Sequence, residues 1–432
     1  MRGRFEHTAR NKARSHTPGD EEVLTGMSQV TVAIRRAKAY DEAQIRSAVE
    51  AAIADIGGLG EIVRPGARVF VKINHLPPAS APERGIVTHP AFTAAVLGLL
   101  REVTPHITVG DDVPTAPPDG FAVSGYRAMC DRLGVRLVSL RELGFQRIPC
   151  AGTILKEVYL ARALIEADVV INLPKLKTHS LTLFTGAVKN LYGAIPGSFR
   201  VAFHGQYKNP SEFNQVLVDI FAEAKPSLTI MDGIVAMEGA GPANGAVRNL
   251  GVILASQDAV AVDAVASRII GLDPLAVSTT RYAHERGVGM GNLDGIKTVG
   301  EPIEAVAVAD FKLPPIPAGE IVGWAPRFLT KLITRQLVVR PRVVATRCVG
   351  CRACVQMCPT GAATVEGGKA HIDRQTCIRC MCCHEACRFN AIALQRSALG
   401  RALHPFVRAR RRARRAGQGV PAGSPAPTEG RR

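Results

Sequence analysis

The chain has 432 residues, 47% hydrophobic and 21% charged, which at about 100–200 residues per domain means two to four globular domains and excludes a small disulfide-stapled peptide. No run reaches about 18 uninterrupted apolar residues, so no membrane-spanning helix is expected. The net charge of +17 is uneven: from Arg327 onward there are 21 of the 54 basic and 4 of the 37 acidic residues, which leaves 33 of each before that point.

Residues 1–26 are polar and aperiodic and carry no apolar stretch of the secretory type. They read as a disordered leader to a cytoplasmic chain. From residue 27 to about 316, short β-branched runs alternate with amphipathic stretches, the pattern of an α/β domain with a mostly parallel sheet and flanking helices. RVFVKIN, HITVGDD, VRLVSL, DVVINLP, SLTIMDGIV and LGVILAS are the expected strands. DEAQIRSAVEAAIADI, HPAFTAAVLGLLREV, SEFNQVLVDIFAEA and AVAVDAVASRIIG have helical spacing. The Pro-rich LPPIPAG closes this domain. Residues 317–341 then read as an amphipathic connecting helix, with Phe328, Leu329, Leu332 and Ile333 on one side and Arg327, Lys331 and Arg335 on the other. A small α+β domain is expected over 342–396, followed by a basic disordered tail over 397–432 that contains RARRRARR.

Nine of the eleven cysteines lie between Cys348 and Cys387. Cys348, Cys351, Cys354 and Cys358 form C-x2-C-x2-C-x3-C followed by Pro359, and Cys377, Cys380, Cys383 and Cys387 repeat the spacing. Three thiols at two-residue gaps wrap three corners of a cubane, and the fourth reaches the other cluster. The expected ligands are therefore Cys348, Cys351, Cys354 and Cys387 for one [4Fe-4S] cluster, and Cys377, Cys380, Cys383 and Cys358 for the second. Zinc is the alternative, but its sites pair two C-x2-C units around one ion and do not need eight interleaved thiols. The segments RCVGCRACVQMCPTGAATV and TCIRCMCCHEACRFNAIAL resemble the bacterial two-cluster ferredoxin, an electron relay. Arg388 stands where the second motif has proline in that family, and Cys382 is an additional cysteine between two ligands.

Open α/β sheets bind ligands beyond the carboxyl ends of their strands, and those ends are polar here. Lys72, Asn74 and His75 close one strand, Asp111 and Asp112 the next, Asn172 and Lys175 another, then Asp232, then Ser256 and Asp258. Each alone is an ordinary cap or turn residue; their recurrence points to a site. In NLPKLKTHSLTLFTGAVKNLYGAIPG, residues Lys175, Lys177 and His179 alternate, so an extended chain turns all three to one side. Two ammonium groups and an imidazole suit an anion and a proton transfer. Lys189 and Asn190 follow on an expected helix. MDGIVAMEGAGPANG reads as a glycine-rich loop after a strand, with Asp232 and Glu238 as acid–base or metal candidates. Lys72, Asn74, Asp111 and Asn172 are candidates for substrate binding. The G-x-G-x-x-G fingerprint, the Walker A ending and a G-x-S-x-G elbow are all absent, so no nucleotide cofactor or serine nucleophile is expected.

VKINHLPPASAPERGIVTHP, ITVGDD, ADVVINLPKLKTHSLTLFTGAVKNLYGAIPG, MDGIVAMEGAGPANG and SQDAVAVDAVASRIIGLDP resemble the family catalogued as domain of unknown function 362. Its members often carry a C-terminal two-cluster ferredoxin module. The resemblance implies an iron–sulfur protein of redox role and supplies no catalytic residue.

The expected function is an oxidoreductase whose two clusters relay electrons between an external carrier protein and an anionic small molecule at the strand ends. The alternative is a non-enzymatic electron carrier or assembly subunit whose α/β domain binds a partner protein. A ligase or transferase would need a nucleotide motif that is missing. The basic tail suits peripheral contact with an anionic membrane. Without interleaved aromatics it gives no support to sequence-specific nucleic-acid binding.

Overall fold

The computed structural model describes residues 29–115, 118–314, 339–398 and 401–402. A ten-stranded sheet organises the α/β domain, in the order β12-β1-β11-β10-β7-β2-β3-β4 with β8 and β9 attached beside β10. These strands are β1 (Val30–Arg36), β2 (Val69–Ile73), β3 (Ile107–Asp111), β4 (Arg136–Ser139), β7 (Val169–Leu173), β8 (Lys175–His179), β9 (Leu183–Thr185), β10 (Leu228–Glu238), β11 (Ala246–Ser256) and β12 (Ile296–Gly300); β5 (Phe145–Pro149) and β6 (Glu157–Ala161) form a separate hairpin. The run β10-β7-β2-β3-β4 is parallel throughout, β11 opposes its neighbours β1 and β10, and β9 opposes β8. The mostly parallel α/β class read from the alternation is the fold that forms.

The inner strands are covered on both faces, which is why VFVKI and VVINL are buried at every position. Alternation sends Val69 and Val71 to one core, with Ile45 and Val49 of helix Glu42–Ala54 and Phe92, Val96 and Leu100 of helix Pro90–Arg101. Phe70 goes to the opposite core, with Val218 and Phe221 of helix Pro210–Ala224 and Val260 of helix Ala259–Ile269. Each such side chain contributes about 1.5–3 kcal/mol on burial. Side-chain caps fix the helix starts: the Asp41 carboxylate accepts from Gln44 N, and that of Asp258 from Val260 N and Ala261 N. Asp258 is thus a cap residue, and Ser256 is tied to the Thr31 carbonyl.

Two sequence expectations change. MDGIVAMEGAGPANG is not one loop: β10 continues to Glu238 and pairs antiparallel with β11, leaving residues 239–245 as the connection. Asp232 therefore lies mid-strand, just before a bulge between Gly233 and Val235. Most of the expected connecting helix, residues 317–338, lies outside the described residues. Its last residues are strand instead: β13 (Val339–Val343) pairs antiparallel with β16 (Ile392–Arg396), so Pro341 sits inside a two-stranded edge ladder, where its missing N–H is tolerated. Between them run the first cysteine motif, the hairpin β14 (Ala363–Glu366) and β15 (Lys369–Ile372), and the second motif.

Candidate functional site

In the small domain each cysteine motif turns through a left-handed residue, Arg352 (φ 63) or Met381 (φ 67), into a single helical turn, Ala353–Gln356 or Cys382–Glu385. These sharp reversals fold the thiols inward. Cys358, Cys377, Cys380 and Cys383 wall one cavity, together with Thr360 and Ile372. Cys354 lies within electrostatic reach of Cys351 and Cys387. Backbone N–H groups point at the sulfurs: Ala370 N donates to Cys348 Sγ (3.3 Å) and Ala391 N to Cys387 Sγ (3.2 Å). The N–H of Gly350, then that of Ala370, lower the Cys348 thiol toward its thiolate. Four thiols around one cavity, and amide donors at two thiols of the other set, fit the ligands of [4Fe-4S] clusters. Four cysteines could also hold zinc; the repeated C-x2-C-x2-C-x3-C spacing, with the fourth thiol of the first motif on the cavity of the second, is what favours a cluster. Arg388 is exposed, with its guanidinium 4.9 Å from the Phe389 ring centre.

In the α/β domain the strand-end candidates separate into three groups. Lys72 and Asp111 form a buried ion pair of 2.9 Å, with Asp111 also accepting the N–H groups of His75 and Asp112. Asp112 is held by Arg141 and Arg200. Asn74 donates to Asn190 Oδ1 (3.1 Å), and Asn190 donates to Asn172 Oδ1 (2.8 Å). These residues tie helix Ala187–Asn190 to the strand ends and thereby position Lys189.

The second group surrounds Lys175, whose ammonium lies 2.8 Å from Asp232 and 2.5 Å from the Tyr40 hydroxyl. Tyr40 donates to Asp232 and stacks on His89 at 3.6 Å. Burial holds the His89 imidazole down to about 4, so it is neutral near pH 7. Glu238 belongs to neither group: the backbone N–H and ammonium of Lys312 bind it.

The third group is where the two domains meet. β8 is extended and buried from Lys175 to His179, so the three basic residues do share a face. Lys177 donates to the Ile86 carbonyl at 2.7 Å. Burial, then repulsion from Lys189, bring its ammonium down to about 7. His179 Nδ1 accepts the N–H groups of Leu181 (3.1 Å) and Thr182 (3.3 Å), so the proton of the neutral ring sits on Nε2. Burial keeps this ring neutral, with the Lys189 charge acting in the same direction. Nε2 faces Glu385 Oε1 of the cysteine module at 3.3 Å. Neither atom has a hydrogen-bond partner. Lys189 completes the group, 5.9 Å from the Tyr192 ring centre, and its charge opposes the burial that raises the Glu385 carboxyl.

Glu385 belongs to the helical turn that includes Cys383, and that turn is fastened to the α/β domain. Asn244 Nδ2 donates to the His384 carbonyl (2.7 Å), and His384 Nε2 lies 3.1 Å from the Ala240 carbonyl oxygen. Close by, a Cβ on Gly205 would come within 3.2 Å of Pro359. Cys382 is buried in the same contact, within electrostatic reach of Lys189 and Tyr192.

An α/β domain with a cysteine-cradle module pressed against its one extended basic strand defines an iron–sulfur protein of the electron-transfer class. Residues 340–388 match the 4Fe-4S dicluster domain, and residues 69–268 match the domain of unknown function DUF362. The chain belongs to the DUF362 family. It is 32% identical over 288 residues to thylakoid-associated protein sll1697 of Synechocystis sp., covering 66% of this chain and 88% of that one. The lactate racemase apoprotein from Thermoanaerobacterium thermosaccharolyticum aligns at TM-score 0.36 and 12% identity, over 54% of this chain and 55% of that one. A likeness at that level bears on neither fold nor chemistry.

Proposed function

We propose that this protein is an iron–sulfur oxidoreductase in which two [4Fe-4S] clusters carry electrons between an external carrier protein and a small anion bound beside His179. Cys348, Cys351, Cys354 and Cys387 hold one cluster; Cys377, Cys380, Cys383 and Cys358 hold the other. The observation that supports this reading best is the facing pair His179 Nε2 and Glu385 Oε1, because Glu385 shares its helical turn with the ligand Cys383. When bound, the clusters supply single electrons at this contact. His179 offers its Nε2–H as a hydrogen-bond donor, Glu385 a carboxyl group to give or receive a proton, and Lys189 and Lys177 the positive charge that draws in an anion. Lys175, engaged by Asp232 and Tyr40, holds the neighbouring stretch of β8 in place.

The test uses protein purified without oxygen. About eight iron and eight sulfide per chain are expected for two cubanes, together with an organic anion released on denaturation. His179→Ala and Lys189→Met should abolish retention of that anion while leaving the iron count unchanged. Eight irons and retention unaltered in both variants would favour the electron carrier or assembly subunit; zinc in place of iron would overturn the cluster assignment.

The relative's thylakoid association, with the arginine run of the tail, also supports a membrane-peripheral position. No helix among the described residues is long and apolar enough to cross a membrane. The full chain should sediment with vesicles containing anionic lipid, and release by salt would mark the contact as electrostatic.

A further inference from the structure

The cysteine module has two differently finished sides. The turn Cys382–Glu385 and Pro359 are pressed on the α/β domain. At the first motif, Cys351 is the only one of the eight motif cysteines that is exposed. Beside it Val349 is 59% exposed, the highest value for a large hydrophobic side chain among the described residues. A basic rim surrounds this spot. Arg347, Arg352 and Lys369 are exposed; Arg347 donates to the Asn390 carbonyl and Lys369 to that of Cys348. None of the three forms an ion pair among the described residues. The Lys369 turn belongs to the same surface, because a Cβ on Gly350 would come within 2.6 Å of the Gly368 carbonyl oxygen.

We propose that this face, centred on Cys351 and Val349, is the docking surface for an acidic one-electron carrier protein. A transient redox contact needs a small apolar centre with a charged rim, and buries less than about 1,200 Å². Unpaired cationic side chains around an exposed cluster ligand raise the encounter rate of a partner with acidic groups around its own redox centre. One electron leaves the reduced carrier and enters the cluster at Cys351, oxidising the first and reducing the second, and no bond forms or breaks. Cys354 lies within electrostatic reach of Cys351 and of Cys383, so the path continues inward. The inference rests on the iron–sulfur relay alone and holds whether or not the α/β domain turns over a substrate.

Binding of a labelled plant-type [2Fe-2S] ferredoxin, an acidic carrier, to the anaerobic full-length holoprotein tests this by fluorescence anisotropy. Binding at low salt should weaken steeply as salt is added. R347E/R352E should reduce affinity about tenfold or more at low salt, with iron content unchanged. R136E/K297E makes the same change of charge at two exposed positions of the α/β domain and should bind as the wild type does. Three results would each overturn the proposal: no binding by the wild type, undiminished binding by R347E/R352E with its iron intact, or an equal loss in R136E/K297E. The last would mean that net charge, not this face, attracts the carrier.

Discussion

Lys177 is a buried ammonium hydrogen-bonded to a carbonyl, and its titration has a definite consequence. Its folded value of about 7 lies below the ordinary 10.5, so between these two values the unfolded chain holds a proton that the folded chain has lost. Stability from this group therefore rises with pH across that window, while below about 7 the cost of burying the charge is fully present. Urea midpoints measured from about pH 7 to about pH 9 should climb in the wild type and climb less in Lys177→Met. The same loss of charge should weaken anion binding above about pH 7. Lys72 and Asp111 behave differently because each is the other's partner. Lys72→Met leaves a buried carboxylate unpaired and should lower stability by about 3–5 kcal/mol, measurable by urea denaturation with the iron content unchanged. The alternation of Lys175, Lys177 and His179 was legible in the sequence because period two needs only one extended strand. Tyr40 and Glu385 were not, since they reach β8 from 135 residues upstream and from a separate domain. The one available signal for Glu385 was its position between Cys383 and Cys387.

Helix Ala187–Asn190 shows how one short element depends on remote residues. Its first N–H groups, those of Ala187 and Val188, are received by the Asp263 carboxylate of helix Ala259–Ile269 at 2.5 and 3.0 Å. The approach is close because residue 186 is glycine: a Cβ there would lie 2.0 Å from Asp263 Oδ1. Gly186→Ala should then cost about 1–3 kcal/mol, read as a lowered thermal midpoint, and should displace Lys189 enough to weaken anion retention. The long helices and inner strands were legible because their apolar periodicity persists over many residues. The β10–β11 hairpin was not, because the glycines of GIVAMEGAGPANG mimic loop composition, whereas the strand absorbs Gly233 beside a bulge and the loop begins only at Gly239. Asp258 was legible as a strand-end polar residue, and the cap it forms is the ordinary use of aspartate at that position.

At the scale of the molecule, a large two-faced core supports a small module whose interior is largely cysteine. Cys348, Cys354, Cys383 and Cys387 pack there with Ala363, Ala370, Ala391 and Ile392, too little apolar surface to hold about 60 residues without metal. Removing iron with a chelator should make residues 339–398 susceptible to protease and leave the α/β domain resistant, which limited proteolysis with mass spectrometry would show. The module itself was legible from eight cysteine spacings. Its orientation on the α/β domain was not, because Asn244, Ala240 and Gly205 carry no mark of what they touch. The shared cavity wall has a consequence for biosynthesis. Cys358 is translated well before Cys377, Cys380 and Cys383, the other three cysteines around that cavity. No nascent chain that stops in the β14–β15 hairpin can complete it, whereas every strand of the large sheet has already been made. Completion of that cavity therefore waits for the second cysteine motif, by which time the α/β domain has been able to fold.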